Sequence, residues 1–334
     1  MDLAQQAALT VGASFWSTAA VADVPPVLVA DGPHGLRVEA DTGAVQFGMG
    51  RSIPATCFPP AVGLGQSWSP ELVARVGAAL GAECQAGGVG VLLGPGINIK
   101  RDPRGGRNFE YYSEDPHLTG VLGAAWVDGV QGQDVGTSLK HFAANNAEHD
   151  RMRSSSDVDQ RTLREIYLRA FQHIVTGARP WTVMCSYNRV NGVPAAENRW
   201  LLTEVLRDEW GFDGPVLSDW GAVGDRAAAL RAGLDLEMPG GRDPAELLAA
   251  VDDGRLDPAL IERSAARVGD LARRAAAARR PGTRFDQEAH HRLAREVAGQ
   301  CVVLLKNDGG LLPLAAGTAV AVLGEFAAAP RYQG

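Results

Sequence analysis

The sequence predicts an α/β fold in which parallel strands and crossover helices curl into a barrel. Three observations predict it. Short apolar runs alternate with helix-periodic segments along most of the chain, the pattern of a parallel sheet with helical connections. Several runs end in a charged or polar residue: Asp31 after 27–30, Lys140 and His141 after 137–139, Tyr187 after WTVMCS, Asp219 after 215–218. Parallel α/β folds place their chemistry at such C-terminal strand ends. The 334 residues also exceed the roughly 250 that a TIM-type barrel commonly fills. Six parallel strands can be counted, so the TIM-like (β/α) barrel is expected to be irregular or incomplete.

Residues 3–9 read as a short amphipathic helix. Pro25 and Pro26 open the run Val27–Ala30, which ends in Asp31-Gly32-Pro33-His34-Gly35. Residues 36–66 are rich in Gly and Pro and read as irregular. Ser69-Pro70-Glu71 then supplies an N-cap, a proline at the first helical position and an acid in the first turn, starting a helix to about Gly87. A strand over 88–93 feeds Gly94-Pro95-Gly96. Asp115 and Pro116 start a helix through about Gln131, followed by a strand over 137–141. Leu163, Ile166, Tyr167, Ala170, Phe171 and Ile174 repeat at helical spacing and predict a helix over 160–177. A strand over 181–187 comes next. A helix over 199–210, the strand ending at Asp219, a helix over 222–232 and a strand over 234–238 complete the alternation. Helices over 243–253 and 257–279 precede Arg280-Pro281-Gly282, a plausible linker. A helix over 286–300 follows, then a strand or buried helix end at 302–305 and a new strand at 318–323. The expected organisation is a barrel over 1–280, a linker and helix over 281–316, and the first strand of a truncated α/β sandwich over 317–334.

Composition excludes several classes of function. With 46% hydrophobic and 21% charged residues, the chain is not predominantly disordered. The net charge of -7, without a basic cluster, argues against a nucleic-acid partner. Cys57, Cys84, Cys185 and Cys301 form no C-x-x-C pair, so no metal site is indicated. Cys185 and Cys301 read as small buried apolar residues. The N-terminus lacks a basic region followed by an apolar core, and no run reaches membrane-spanning length. The chain reads as cytoplasmic unless a leader has been removed.

The stretch GPVLSDWG, 214–221, carries the sharpest chemical signal: a carboxylate, Asp219, followed by an indole, Trp220, at a strand end. Alone, Asp219 reads more readily as a cap of the next helix, and Asp31-Gly32 could equally be a simple turn. Residues 97–117, INIKRDPRGGRNFEYYSEDPH, join cations, acids and aromatics without helical or strand periodicity. Such side chains grip hydroxyl-rich ligands through directed hydrogen bonds and stacking. Most of these charges are expected to bridge one another, with one or two facing a ligand. The pair Lys140-His141 stands out because the chain has only three lysines: Lys100, Lys140 and Lys306.

Taken together, DGPHGLR at 31–37, GPGINIKRDPRGGRNFEYYSEDP at 94–116, Lys140-His141-Phe142, Met184-Cys185-Ser186-Tyr187-Asn188 and Ser218-Asp219-Trp220 resemble glycoside hydrolase family 3, the β-glucosidase group. The resemblance runs nearly end to end. LLKNDGGLLPL through AVLGEFAAAPRYQG is similar to the family's linker and the first strand of its second domain. The resemblance implies a retaining, exo-acting hydrolase that removes a terminal β-D-glucosyl residue through a covalent glycosyl-Asp219 intermediate. It implies that Asp31, Arg107, Lys140, His141 and Tyr187 hold the sugar, that Trp220 lines the exit side and that Met184 packs beneath the sugar. It implies no cofactor and no metal. Arg107 and Lys140 would favour an ionised Asp219.

In multidomain relatives the acid/base is a Glu of the second domain. No residue here matches it, so it is expected in a C-terminal domain supplied by the same or a separate chain. Glu110 and Glu237 are tempting carboxylates without the matching context. Single-barrel members acting on N-acetylglucosamine use a His on a Gly-rich loop, but FAANNAEHDR at 142–151 lacks the glycines, and His149 and Asp150 are merely adjacent. The alternatives are a β-xylosidase or β-N-acetylglucosaminidase, or a sugar-binding or scaffold fragment without turnover.

Overall fold

A computed structural model describes residues 1–40 and 52–330. Residues 41–51, inside the stretch read as irregular, and 331–334, the end of the predicted second-domain segment, lie outside the described residues. Helix α1 (Leu3–Leu9) starts in a reciprocal capping box between Asp2 and Gln5. Strand β1 (Val29–Ala30) follows. The Gly- and Pro-rich stretch, expected to be irregular, contains α2 (Ala61–Ser67). Helix α3 (Pro70–Gly87) begins where Ser69 Oγ accepts the Leu72 N–H at 3.2 Å. It ends at Gly88, whose φ of 70° favours glycine. After β2 (Val91–Leu92), α4 (Pro116–Gln131) is capped by Asp115. Strands β3 (Gly136–Phe142) and β4 (Ser155–Ser156) come next.

The helix predicted over 160–177 is present but uneven. It comprises α5 (Gln160–Thr162), a π turn (Leu163–Tyr167) and α6 (Arg169–Gly177). Strand β5 (Thr182–Cys185) leads to a hairpin of β6 (Arg189–Val190) and β7 (Val193–Pro194), which joins β4 in a small side sheet. A π-type helix (Trp200–Glu209), β8 (Val216–Leu217), α7 (Arg226–Ala232), α8 (Ala245–Asp252), α9 (Pro258–Ala278) and α10 (Gln287–Gln300) complete the order.

The main sheet has strand order β1-β2-β3-β5-β8, and every pair is parallel. The strand predicted over 234–238 is reduced to bridges: Leu217 to Leu236, and Val11 to Glu237. Residues 11–18 then reach the far edge. Ser17 bridges Leu28, and the Trp16 carbonyl accepts the Val29 N–H at 2.9 Å. The result is a curled half-barrel of TIM-like type whose wall is completed by an irregular N-terminal segment. β3 is buried along its whole length, as expected for a strand covered on both faces.

One core cluster, with Leu80, Trp126 and Phe171, lies between the sheet and α3, α4 and α6. α3 and α4 touch closely because Gly129 has no side chain: a Cβ there would lie 2.3 Å from the Ala74 carbonyl. A second cluster packs Val29, Val91, Met184, Leu217, Leu236 and Met238 with Val268 and Leu271 of α9.

The segment 302–305, expected as a strand or a buried helix end, is neither, and 318–323, predicted as a strand, is not one. Leu305 is 91% exposed and Leu323 is 89% exposed. Among the described residues no strand lies alongside them, so their backbone groups face solvent instead of a ladder.

Candidate active site

The site sits at the C-terminal ends of the main strands. β8 delivers Asp219, which is 7% exposed. The Oδ1 atom accepts the N–H of Trp220 at 2.8 Å. The Oδ2 atom has no hydrogen-bond partner. It lies 3.6 Å from His141 Nε2 and 3.9 Å from Arg107 Nη1. Burial pushes the Asp219 carboxyl above the usual carboxylate range, and the charges of Arg107 and Lys140 pull it partly back. A free oxygen on a buried carboxylate, with cations behind it, suits a nucleophile more than a helix cap. α7 has its own N-cap in Asp225.

β3 delivers Lys140 and His141. Lys140 Nζ donates to Asp31 Oδ1 at 3.0 Å, joining the ends of β1 and β3. Burial opposes ionisation of Asp31, but the charge and hydrogen bond of Lys140 outweigh it and hold the carboxyl below its ordinary value. His141 is fully buried, and burial, then Arg107 and Lys140, press its pKa well below the imidazole value. Its tautomer follows from its partners. Arg107 Nη2 can only donate, so Nε2 accepts at 2.9 Å and the proton resides on Nδ1. Nδ1 lies 3.1 Å from Tyr111 Oη and 3.3 Å from Asn98 Oδ1. Asn98 also pairs with both backbone groups of His141, at 3.0 and 2.9 Å, locking its position.

Arg107 is held by a hydrogen bond from its Nε to Glu110. Elsewhere in 97–117, Arg104 pairs with Asp102, whereas Arg101 bonds the Tyr167 hydroxyl, far along the chain. Arg107 is the residue of this stretch that reaches Asp219. Tyr187, at the end of β5, donates to the Trp220 carbonyl at 3.1 Å and adjoins Asp219. Arg151 stacks on its ring at 4.3 Å. Trp220 packs beside Phe15 and Trp16, with centroids 6.2 and 5.6 Å away, and its Nε1 donates to the Phe15 carbonyl at 2.9 Å. Met184 is buried in the second cluster, which Trp220 also joins.

The structure therefore brings Asp31, Lys140, His141, Arg107, Asp219, Tyr187 and Trp220 to one end of the barrel, with Met184 beneath. Sequence reasoning missed Asn98, Tyr111, Phe15 and Trp16. The first two lay inside the stretch singled out for its unusual composition. The Phe15-Trp16 dipeptide was the available signal for the others.

The other carboxylates considered are committed elsewhere. Glu110 holds Arg107. Glu237 is clamped between Arg226, 3.0 Å, and Arg242, 3.4 Å. His149 is exposed, and Asp150 pairs with Arg153. No metal-binding group of three or more His, Cys, Asp or Glu occurs among the described residues.

Residues 26–271 match the model of the glycosyl hydrolase family 3 N-terminal domain. The chain belongs to glycosyl hydrolase family 3. It is 51% identical to the exo-alpha-(1->6)-L-arabinopyranosidase of Bifidobacterium longum and 51% identical to thermostable beta-glucosidase B of Acetivibrio thermocellus. Each alignment covers 100% of this chain but only 46% and 45% of those relatives, so the chain spans about half their length. Its fold superposes on the Bifidobacterium adolescentis GH3 beta-glucosidase with a TM-score of 0.93 at 51% identity, covering 100% of this chain and 48% of that one. Against Thermotoga neapolitana beta-glucosidase 3B in complex with glucose the TM-score is 0.88 at 38% identity, over 94% of this chain and 47% of that one. No helix among the described residues is long and apolar enough to cross a membrane.

Proposed function

We propose that this chain is the nucleophile-bearing barrel of a retaining, exo-acting glycosidase of β-glucosidase type. The observation that carries the reading is the Asp219 carboxylate: buried, with Oδ2 unpartnered, and facing Arg107 and His141 at a strand end. Attack at the anomeric carbon needs such an ionised oxygen. Arg107 and Lys140 offset part of the burial that disfavours its charge. Asp31 offers acceptors to sugar hydroxyls at the opposite end of the site. His141, neutral, and Tyr187 line the space between, and Trp220 with Phe15 and Trp16 forms the exit wall.

A retaining mechanism needs a second carboxyl about 5–5.5 Å from the nucleophile, first as acid and then as base. Glu110 and Glu237 are both held by arginines. The acid/base is therefore proposed to be a Glu on a domain following this barrel, in the same chain or another. The proposed organisation is a barrel over 1–280, a linker and helix over 281–316 and the start of a second domain from 317. The glycone is proposed to be β-D-glucose. A pentopyranose is the second reading, because one of the relatives at 51% identity is named an arabinopyranosidase.

The test uses a 2-deoxy-2-fluoro-glucoside with a dinitrophenolate leaving group, which departs without acid help. Intact mass and peptide mapping should find one adduct, on Asp219. A folded protein that acquires no adduct, or one elsewhere, refutes the assignment. The matching fluoro-arabinopyranoside distinguishes the glycones by rate of labelling.

A further inference from the structure

We infer that helix α10, beyond the matched family domain, is a working part of the barrel, and that His290 on it is a positioning residue for the Asp31 loop. Its bearing on sugar binding rests on the reading above; its structural core does not.

The inference starts from Glu83, a carboxylate on α3 that is 2% exposed and lies outside the site. Both of its oxygens are used. Oε1 accepts from His290 Nδ1 at 2.7 Å, and Oε2 accepts the backbone N–H of Thr56 at 3.1 Å. The imidazole is packed between rings: stacked on Phe285 at 5.0 Å and tilted against Phe58 at 6.3 Å. A buried carboxylate with one donor removed keeps its desolvation penalty. The Glu83 side chain is therefore tied to α10 and to residue 56 at once.

Residues 56–58 in turn support the Asp31 loop. The Phe58 N–H donates to the His34 carbonyl at 2.8 Å. The Thr56 carbonyl lies against Gly35, 3.2 Å from where a Cβ would stand. That loop folds back on itself, with the Arg37 N–H on the Asp31 carbonyl at 3.0 Å. On its other side the 52–57 segment borders a cavity of about 530 Å³, lined in part by Leu36, Ile53, Thr56 and Ala294. The Thr56 hydroxyl has no partner. The Glu83 clasp adds a buried side-chain tie at Thr56 to the backbone bonds that join Ile53 to Val38 and Phe58 to His34. α10 has a second attachment, the paired hydrogen bonds of Arg75 to Glu296 at 2.6 and 2.7 Å. Both of those side chains are exposed, so that pair contributes little.

Hydrogen exchange read by mass spectrometry tests this without turnover. His290→Phe keeps a ring on Phe285 and removes the donor to Glu83. His290→Asn returns an N–H near the position of Nδ1. Arg75→Ala removes the exposed ion pair of α10 without touching Glu83 and serves as the control. The expected result is at least about tenfold faster exchange in peptides covering 32–37 and 52–58 for His290→Phe, with protection restored in His290→Asn and retained in Arg75→Ala. Fluoroglucoside labelling should then need several-fold more reagent for half-maximal rate in His290→Phe, at an unchanged limiting rate, because Asp219 is not displaced. Wild-type exchange at 32–37 in His290→Phe, or equal loosening there in Arg75→Ala, overturns the inference. Absence of labelling in the unmodified protein would count against the hydrolase reading and leave the exchange result standing.

Discussion

Removing Asp235 should cost more stability than removing any surface charge of this protein. Asp235 is fully buried and sits between β8 and α9. Oδ2 accepts from Arg207 Nη2 at 2.5 Å and from the Val216 N–H at 2.8 Å. Oδ1 accepts from Ser264 Oγ at 2.8 Å and from Arg267 Nη1 at 3.1 Å. Asp235→Ala leaves four donors without their acceptor and two guanidinium groups facing each other. Breaking a buried ion pair from one side costs about 3–5 kcal/mol. Arg207 retains three carbonyl acceptors, on Phe212, Gly214 and Gly233, which places the loss near the low end, about 3 kcal/mol. For a chain of this size that is a fall in Tm of about 4–5 °C. Asp235→Asn, which keeps one acceptor oxygen, should lose about half as much. Scanning calorimetry with chemical denaturation provides the measurement. Val216 lies three residues before Asp219, so labelling of Asp219 should also slow at temperatures where the variant remains folded. A loss below about 1 kcal/mol for Asp235→Ala would refute the reasoning, since it would mean the four donors find other partners.

Three further outcomes are expected. Arg107→Met removes a cation that pulls the Asp219 carboxyl down, so the acid limb of fluoroglucoside labelling should move to higher pH; an unmoved limb would show that Arg107 does not act on Asp219. Lys140→Met removes what holds the Asp31 carboxyl below its ordinary value of 3.8, so the stability that this interaction contributes is present above pH 3.8 and is lost as pH falls below it; denaturation midpoints of the two proteins should converge in acid and separate at neutral pH. Glu237→Gln should lower stability by about 1–3 kcal/mol yet leave Asp219 labelling at saturation within twofold, because Glu237 is tied to Arg226 and Arg242; a large fall in labelling of a folded variant would make it part of the chemistry.

The sequence was most readable where a local rule has one outcome. Ser69 and Asp115 announce helix starts because an N-cap needs only its own next few residues. Asp31, Lys140, Tyr187 and Asp219 were visible because each closes an apolar run, and the sheet then carries them to one end. What stayed hidden depends on pairing across the chain. Glu110 was expected in a loop of bridging charges, but that its partner is Arg107 is set by the fold. Asn98 sets His141 through contacts that no spacing encodes. Phe15 and Trp16 meet Trp220 only because the sheet curls. The tail failed for the converse reason: Val320, Val322 and Leu323 carry β-prone, apolar character, but a strand also needs a neighbour.

The N-terminal segment that completes the barrel wall has a consequence for how the chain is made. Residues 11–18 leave the ribosome before the sheet they complete, yet Val11 pairs with Glu237, which leaves among the last of the barrel. Until then Leu9 and Val11, at the outer edge of the segment that pairs with β1, lack the surface that buries them. Contacts this distant along the chain slow folding, because a long loop must close before they form. The newborn barrel is therefore an open, adhesive sheet for most of its synthesis. A slowed stretch of translation just after residue 238 should raise the soluble yield, whereas the same delay placed before residue 230 should lower it.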